Sequence, residues 1–164
     1  TLALTPQLAT FPYYTWHHGV VIPKGHELER ADPLTLETLA EYPIITYHEG
    51  FTGRGNIDKA FHEAGLSPDV VMSAMDTDVL KTYVGLGLGV GIIASVAFDA
   101  KRDAPLKLLP ADRLFPPNTT WIAVRRGSYL RRYAYRFIEL CSPTLTEATI
   151  RKGSVPPAEV VTAK

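Results

Sequence analysis

The sequence has 164 residues, 46% of them hydrophobic and 21% charged, and its 17 basic and 17 acidic residues give a formal net charge of zero. These values are typical of a soluble globular chain that forms one domain, or one lobe with part of a neighbour, and they exclude disordered, collagen-like and coiled-coil chains. The single cysteine, Cys141, excludes an internal disulfide and a cysteine-based zinc site.

Charge is distributed unevenly along the chain. Residues 1–80 hold 4 basic and 11 acidic residues (−7), whereas residues 81–164 hold 13 and 6 (+7). This asymmetry predicts two lobes or an oriented assembly surface, and not a uniform nucleic-acid-binding protein. The apolar runs are too short to span a bilayer, and the opening residues carry neither a signal peptide nor a methionine, so we expect a fragment with no membrane segment.

In the first half of the chain, apolar runs and turn residues predict alternating strands and helices. A strand over residues 17–22 ends at Pro23-Lys24-Gly25. Thr35 caps a short helix over residues 36–41, and the apolar segment Ile44–Tyr47 is a second strand. The helix that follows residues 51–55 has apolar residues at helical spacing: Ile57, Ala60, Phe61 and Ala64.

The second half of the chain continues this alternation. A strand begins at Val70, and Asp76 or Thr77 caps a helix that ends at the glycines from residue 85 onwards. Strands are predicted over residues 90–95, 106–109 and 121–124. Residues 146–164 form a tail that is loose from Gly153 onwards. Ser128 is the expected cap of a last helix, whose apolar stripe is Leu130, Tyr133, Ala134, Phe137, Ile138 and Cys141.

The alternation predicts an α/β fold with a mostly parallel sheet. Ligands of such sheets bind beyond the carboxyl ends of the strands, near the N-termini of helices. Candidate binding residues are therefore sought in the segments that lead from a strand into a helix.

Nucleotide-binding, metal-binding and catalytic patterns are disfavoured. Residues 85–91 are rich in glycine, but they follow a helix and precede a strand, which is the reverse of the order in dinucleotide-binding motifs, so we interpret them as a helix end. The five histidines show no His-x-x-x-His spacing, and no base is identified near Ser95. We therefore expect no metal, no cofactor and no enzyme activity.

Phe51-Thr52-Gly53-Arg54-Gly55 joins a strand to a helix and is the strongest local signal for a binding site. The first turn of a helix has N–H donors without partners in the helix, and with the positive end of the helix dipole they favour an anion. Thr52 adds a hydroxyl donor, and Gly53 lets a ligand approach the backbone. The alternative, which the residue types alone favour, is an ordinary loop in which Thr52 caps the helix.

Other candidate residues also have two interpretations. The indole N–H of Trp16 is a donor for a ligand oxygen at a lobe junction, or Trp16 is an aromatic core residue. Residues 76–78 open another helix, and capping is favoured there because Asp76 and Asp78 repel an anion. The arginine cluster is interpreted as a solvated face rather than a subunit or nucleic-acid contact; it comprises Arg125, Arg126, Arg131, Arg132 and Arg136.

Several segments together resemble LysR-type transcriptional regulators. Residues 20–28 resemble their strand and turn, and residues 85–94 resemble their glycine-containing segment. The more specific matches are to the CysB/Cbl subgroup, which regulates sulfur assimilation, and they lie at residues 14–16, 42–47, 50–54 and 78–87. The resemblance runs from about Thr10 to Leu145, and the order and spacing of the segments make it specific.

The resemblance implies an effector-binding domain like that of periplasmic binding proteins, with two Rossmann-like α/β lobes. Residues 13–117 would form the second lobe, and residues 118–145 would return to the first. The N-terminal winged-helix DNA-binding domain and the start of the first lobe would precede Thr1, so the first lobe would be incomplete.

The resemblance also implies partners. Regulators of this subgroup hold sulfate or an acetylserine inducer between the lobes, and Trp16 and Thr52 match two positions of that site, with Phe51 and Gly53 beside Thr52. The implied effector is sulfate, thiosulfate, N-acetylserine or O-acetylserine. Promoter DNA would bind through the absent N-terminal domain of a cytoplasmic homodimer or homotetramer. The alternative is a solute-binding protein for an oxyanion such as sulfate.

Overall fold

A computed structural model describes residues 5–155, with the exception of the Thr52 side chain. The chain divides into two compact units. The central unit spans Trp16–Asn118, and the terminal unit contains residues 5–15 and 119–155. Within residues 5–155, no helix has both the length and the apolar character that a membrane span requires.

Seven strands and five helices form the described chain, together with 3-10 turns at Glu27–Arg30 and Ser95–Ala97. The strands are β1 (Leu8–Trp16), β2 (His18–Pro23), β3 (Ile44–Tyr47), β4 (Val70–Ala74), β5 (Val90–Ala94), β6 (Leu106–Pro110) and β7 (Asn118–Arg125). The helices are α1 (Leu36–Ala40), α2 (Thr52–Glu63), α3 (Thr77–Gly85), α4 (Arg132–Cys141) and α5 (Glu147–Gly153).

The central unit is built on a five-stranded sheet in the order β4-β3-β5-β2-β6. β3 pairs parallel with β4 and with β5, whereas β2 pairs antiparallel with β5 and with β6. The sheet is therefore mixed: four of its five strands run in the same direction, as the prediction of a mostly parallel sheet requires, and β2 runs the opposite way. Hydrophobic runs predict that a strand is buried on both faces, but they do not encode the direction in which it runs.

Both faces of the central sheet are covered, as the apolar strands predict. Neighbouring residues of β2 point to opposite faces, so Val20 packs in one core cluster and Val21 in the other. α2 closes the first cluster with Ile57 and Phe61. α3 closes the second cluster with Leu80 and Val84. The sheet has a helix on each face, which confirms the predicted α/β class.

The connection from α3 to β5 confirms the predicted helix end. α3 ends at Gly85, and the backbone of Gly87 has a φ of +78°, a left-handed conformation that glycine adopts without steric cost. Thr35 also caps α1 as predicted, since its hydroxyl accepts from the backbone N–H of Thr38 at 3.2 Å.

The terminal unit contains a two-stranded sheet of β1 and β7 with helices α4 and α5. Its core includes Phe11 of β1, Val124 of β7 and Ile138 of α4. β1 was not predicted, because its sequence LATFPYYTW lacks a simple apolar alternation. α5, which is capped by Thr146, was also missed, since residues 146–164 were predicted as a tail. Residues 156–164 lie outside the described chain.

Two predictions for the last apolar stripe were wrong. α4 begins at Arg132 rather than at Ser128, whose hydroxyl donates to the carbonyl of Arg125 at 2.6 Å within a turn. Tyr133 and Phe137 were expected on the buried face but are 70% and 67% exposed. Tyr135 is buried instead, because the helix turns Tyr135 and Ile138 toward the core of this unit.

Candidate functional site

One edge of the central sheet brings together the ends of three strands. β3 and β5 are parallel, so their carboxyl ends at Tyr47 and Ala94 lie at the same edge. β2 runs the opposite way, and its first residue, His18, is paired with Ala94. The edge is thus the position at which α/β sheets bind ligands. The Tyr47 hydroxyl links β5 to α3 at this edge. It accepts from the backbone N–H of Ala94 at 2.9 Å and lies 3.1 Å from the Thr77 hydroxyl of α3.

α2 starts at this edge, after the turn that follows β3. Phe51 occupies the N-cap position and makes no side-chain capping hydrogen bond, so Thr52 is the first helical residue and not the cap. The side chain of Thr52 lies outside the described part of the structure. Phe51 is 42% exposed, and its ring stacks on that of Tyr47 with centroids 5.9 Å apart. The first turn of α2 therefore presents its positive dipole end at the edge without a side-chain cap from Phe51.

Gly53 lies against Trp16 and His18. A Cβ atom built on Gly53 would be 3.0 Å from Cη2 of Trp16 and 3.0 Å from Nε2 of His18. Trp16 is half-buried at the end of β1, and its ring meets that of His18 edge-on, with centroids 5.1 Å apart. The absence of a side chain at Gly53 therefore lets Trp16 and His18 approach the first turn of α2. Sequence reasoning placed Trp16, Phe51, Thr52 and Gly53 near one another, and the structure brings Trp16 and Gly53 into contact.

His18 is a buried polar residue at this edge. Its side chain is 1% exposed, and its ring lies 5.5 Å, centroid to centroid, from that of Phe115. Nδ1 of His18 lies 3.4 Å from the amide nitrogen of Asn118, whose amide oxygen accepts from Asn56 at 2.8 Å. Among the atoms that the structure describes, which exclude the Thr52 side chain, Nε2 of His18 has no hydrogen-bond partner. Burial, with a smaller contribution from the neighbouring His17, lowers the pKa of His18 from 6.5 to about 4.

The lowered pKa predicts a pH-dependent contribution of His18 to stability. Between pH 6.5 and about 4 the unfolded chain binds a proton at this residue and the folded chain does not, so acidification through this window favours unfolding. The contribution is fully present above pH 6.5 and is lost by about pH 4, and the shift corresponds to roughly 3 kcal/mol.

We expect His18→Gln to remove this part of the pH dependence, because glutamine does not titrate. Denaturant titrations of wild type and variant at pH 7, 6, 5 and 4 measure it as the difference between the two curves. His62→Gln is the control, since His62 is an exposed histidine on α2. Parallel curves for wild type and His18→Gln would contradict the prediction.

Arg54 anchors the start of α2 to the end of β3. Its guanidinium donates from Nη1 to the carbonyl of Tyr47 at 2.9 Å and from Nε to Asp58 at 2.6 Å, and the residue is 8% exposed. Because both groups already accept from it, Arg54 positions the helix rather than offering a free cation to a ligand. An anion at this edge would therefore meet neutral N–H donors and the positive end of the helix dipole.

The remaining sequence candidates have structural roles. Asp76 caps α3 as predicted, accepting from the backbone N–H groups of Asp78 at 2.8 Å and Val79 at 3.2 Å. Of the arginine cluster, Arg126 donates to the carbonyls of Pro6 and Gly153, at 3.2 and 2.6 Å. The other four arginines of the cluster are exposed, as a solvated face predicts.

Sequence reasoning missed His18 and Asn118 as candidates at this edge. It considered His18 only for metal binding, and no set of three or more metal-ligating side chains is found in the part of the chain that the structure describes. The one available signal was a histidine in an otherwise apolar strand, HGVVIP. Asn118 gave no signal, because its partner lies 100 positions away.

Comparisons with known proteins show which family the chain resembles. The family described as "LysR substrate binding domain" matches residues 2–146. The chain is 54% identical to the transcriptional regulator SsuR of Burkholderia cenocepacia, over 88% of this chain and 47% of SsuR. It is 49% identical to the transcriptional regulator CysB of the same organism, over 90% of this chain and 47% of CysB.

The fold is similar to that of a solved structure of the same group. The cofactor-binding domain of the Cbl transcriptional regulator superimposes with a TM-score of 0.90 at 43% identity, covering 95% of this chain and 68% of the Cbl domain. The chain spans about half the length of the curated relatives it matches.

Proposed function

The chain belongs to the LysR substrate-binding domain family, and we propose that the edge formed by Trp16, Phe51, Thr52 and Gly53 binds a sulfur-related effector: sulfate, thiosulfate, N-acetylserine or O-acetylserine. The observation that carries this proposal is the start of α2 beside Trp16, with no side-chain cap from Phe51. Backbone N–H groups at a helix start, with the helix dipole, are an anion-binding arrangement. The relatives SsuR, CysB and Cbl support the sulfur-related class of effector.

The donor set suits reversible sensing. Neutral N–H and O–H donors bind an oxyanion without forming a covalent bond, and a regulator needs only a difference in affinity between two conformations. The relatives are transcriptional regulators, and we propose that this chain likewise senses its ligand without transforming it. These relatives also disfavour the alternative of a solute-binding protein.

We also propose how this chain fits into a full-length regulator. We assign residues 13–117 to the second lobe of an effector domain and residues 118–145 to a return into the first lobe. In the full-length regulator, an N-terminal winged-helix domain would contact promoter DNA, within a cytoplasmic homodimer or homotetramer. The lengths of SsuR and CysB, about twice the matched segment, support this organisation.

Thr52→Ala tests the proposed effector site. We expect the variant in the full-length protein to bind its effector more weakly by about 1–3 kcal/mol, because it removes one hydrogen bond to an anion. Calorimetric titration with sulfate, thiosulfate and N-acetylserine measures this effect. Thr82→Ala is the matched control, since the Thr82 hydroxyl donates to the carbonyl of Asp78 within α3. Equal affinities of Thr52→Ala and wild type would remove Thr52 from the site.

A further inference from the structure

The hydrogen bonds of two asparagines determine which ring nitrogen of His18 carries the proton. The Asn118 amide oxygen accepts from Asn56 at 2.8 Å, so the Asn118 amide nitrogen is the group that faces Nδ1 of His18 at 3.4 Å. An amide N–H donates, and Nδ1 must therefore accept through its lone pair. A neutral imidazole has one protonated nitrogen, so in His18 that nitrogen is Nε2.

This arrangement leaves an N–H donor without an acceptor in a buried position. His18 is 1% exposed, and Nε2 has no partner among the described atoms, which exclude the Thr52 side chain. A buried donor without a partner costs about 1–3 kcal/mol, and native proteins rarely tolerate one without a structural or functional reason. The described part of the fold therefore makes no use of this donor.

The unpaired donor is directed at the start of α2. Its neighbours there are Gly53, at which a Cβ would lie 3.0 Å from Nε2, and the edge of the Trp16 ring. Gly53 has no side chain to displace, and Trp16 is half-buried at the end of a strand. The groups beside Nε2 are therefore the first turn of α2 and the Trp16 ring, the same groups that form the proposed effector site.

We propose that His18 is a ligand-binding residue, which donates its Nε2–H to an oxygen of an oxyanion held at the N-terminus of α2. This inference rests on the proposed function and adds a donor from β2 to the donors of α2. The Asn56–Asn118 pair acts as a positioning element, because it holds the imidazole in the tautomer that donates toward the helix. The site thereby recognises an acceptor oxygen with a donor that carries no charge.

Two substitutions of His18 distinguish the role of Nε2 from that of Nδ1. Glutamine places an amide near the position of Nε2 and keeps a donor there, whereas asparagine reaches only the position of Nδ1. In the full-length protein, we expect His18→Asn to weaken sulfate binding by roughly 10- to 100-fold, the effect of one hydrogen bond to a charged group. We expect His18→Gln to stay within about threefold of wild type.

Calorimetric titration with sulfate measures both affinities, and thermal unfolding of each variant reports whether it is folded. Loss of affinity in His18→Asn with retention in His18→Gln supports the proposal. Equal affinities of both variants, whether unchanged or reduced, would overturn it. Absence of sulfate binding by wild type would instead count against the proposed effector class, so the two failures are distinguishable.

Nuclear magnetic resonance of the wild-type protein tests the proposal without any substitution of His18. Nitrogen-15 spectra of the imidazole distinguish the Nε2–H tautomer from the Nδ1–H tautomer, and we expect Nε2–H before sulfate is added. Saturation with sulfate should shift the Nε2 resonance and slow exchange of its proton with water. An Nδ1–H tautomer, or an Nε2 resonance that does not respond to saturating sulfate, would overturn the proposal.

Discussion

Lys81→Met is expected to lower the free energy of unfolding by about 3–5 kcal/mol. Lys81 lies on the buried face of α3, with 5% of its side chain exposed, and its ammonium group is 2.9 Å from Asp103 and 2.8 Å from Asp78. The side chain of Asp103 is 10% exposed. Methionine fills the space of the lysine stem but leaves the Asp103 carboxylate buried without its cation. An uncompensated buried charge is the main source of the expected loss.

The electrostatics of Lys81 agree with a charged, paired side chain. Burial lowers its pKa, but the hydrogen bonds to Asp78 and Asp103 outweigh burial, so the net shift of the pKa is upward. Nζ also donates to the carbonyl of Ala97 at 3.0 Å, which ties α3 to the segment after β5. Lys81 therefore links α3 to Ala97 and to Asp103 at one buried position in the central unit.

The control for Lys81→Met is Asp78→Asn, because Asp78 is 63% exposed and its contact with Lys81 is screened by water. Chemical denaturation should show a much smaller loss for this control than for Lys81→Met. The double variant Lys81→Met/Asp103→Asn should recover part of the loss, since asparagine removes the orphaned charge and still accepts from the backbone N–H of Asp99. A double variant no more stable than Lys81→Met would show that the buried charge is not the cause.

Gly89→Ala is expected to destabilise the central unit by about 3 kcal/mol or more. A Cβ on Gly89 would clash with the carbonyl oxygen of Pro43 and lie 3.0 Å from its carbonyl carbon. The same oxygen accepts from the backbone N–H of Val90 at 2.8 Å, at the start of the pairing between β3 and β5. Backbone atoms cannot rotate away, so the added methyl group must separate two central strands of the sheet.

Two alanine substitutions test whether the clash with backbone is decisive. Gly91→Ala meets Cγ2 of Val84 at 2.8 Å, a side-chain atom that can move, so a smaller loss is expected than for Gly89→Ala. Gly55→Ala meets nothing within 4 Å and lies in α2, where alanine should stabilise the helix by roughly 0.5–1 kcal/mol. Denaturation midpoints that do not follow this order of the three variants would contradict the steric argument.

Local pattern predicted the elements of the central unit well. The apolar segment Ile44–Tyr47 is β3 with the predicted bounds, and the caps Thr35 and Asp76 occupy the ends of α1 and α3. These features depend on side chains a few positions apart, which a single sequence displays directly. The prediction for α4 was wrong at Tyr133 and Phe137, because both faces of this helix carry aromatic residues and only packing decides which face is buried.

The candidate site was predicted in part. The segment at Phe51–Gly53 was placed between a strand and a helix, and the structure confirms that position. Gly53 and Trp16 are 37 positions apart in the sequence, and no local sequence pattern predicts their contact. Whether Thr52 and Trp16 bind an effector stays a prediction, and the proposed experiments address it.

The sequence by itself determined where the strands and helices of the central unit form and that the chain resembles a LysR-type effector domain. Tertiary structure alone decided that β2 runs antiparallel to β5, which brings His18 to the edge where α2 begins. It also decided that the amide nitrogen of Asn118, 100 residues further along the chain, lies 3.4 Å from Nδ1 of His18. The physical reason is that periodicity and capping act over a few residues, whereas strand direction and the pairing of buried polar groups depend on the path of the whole chain.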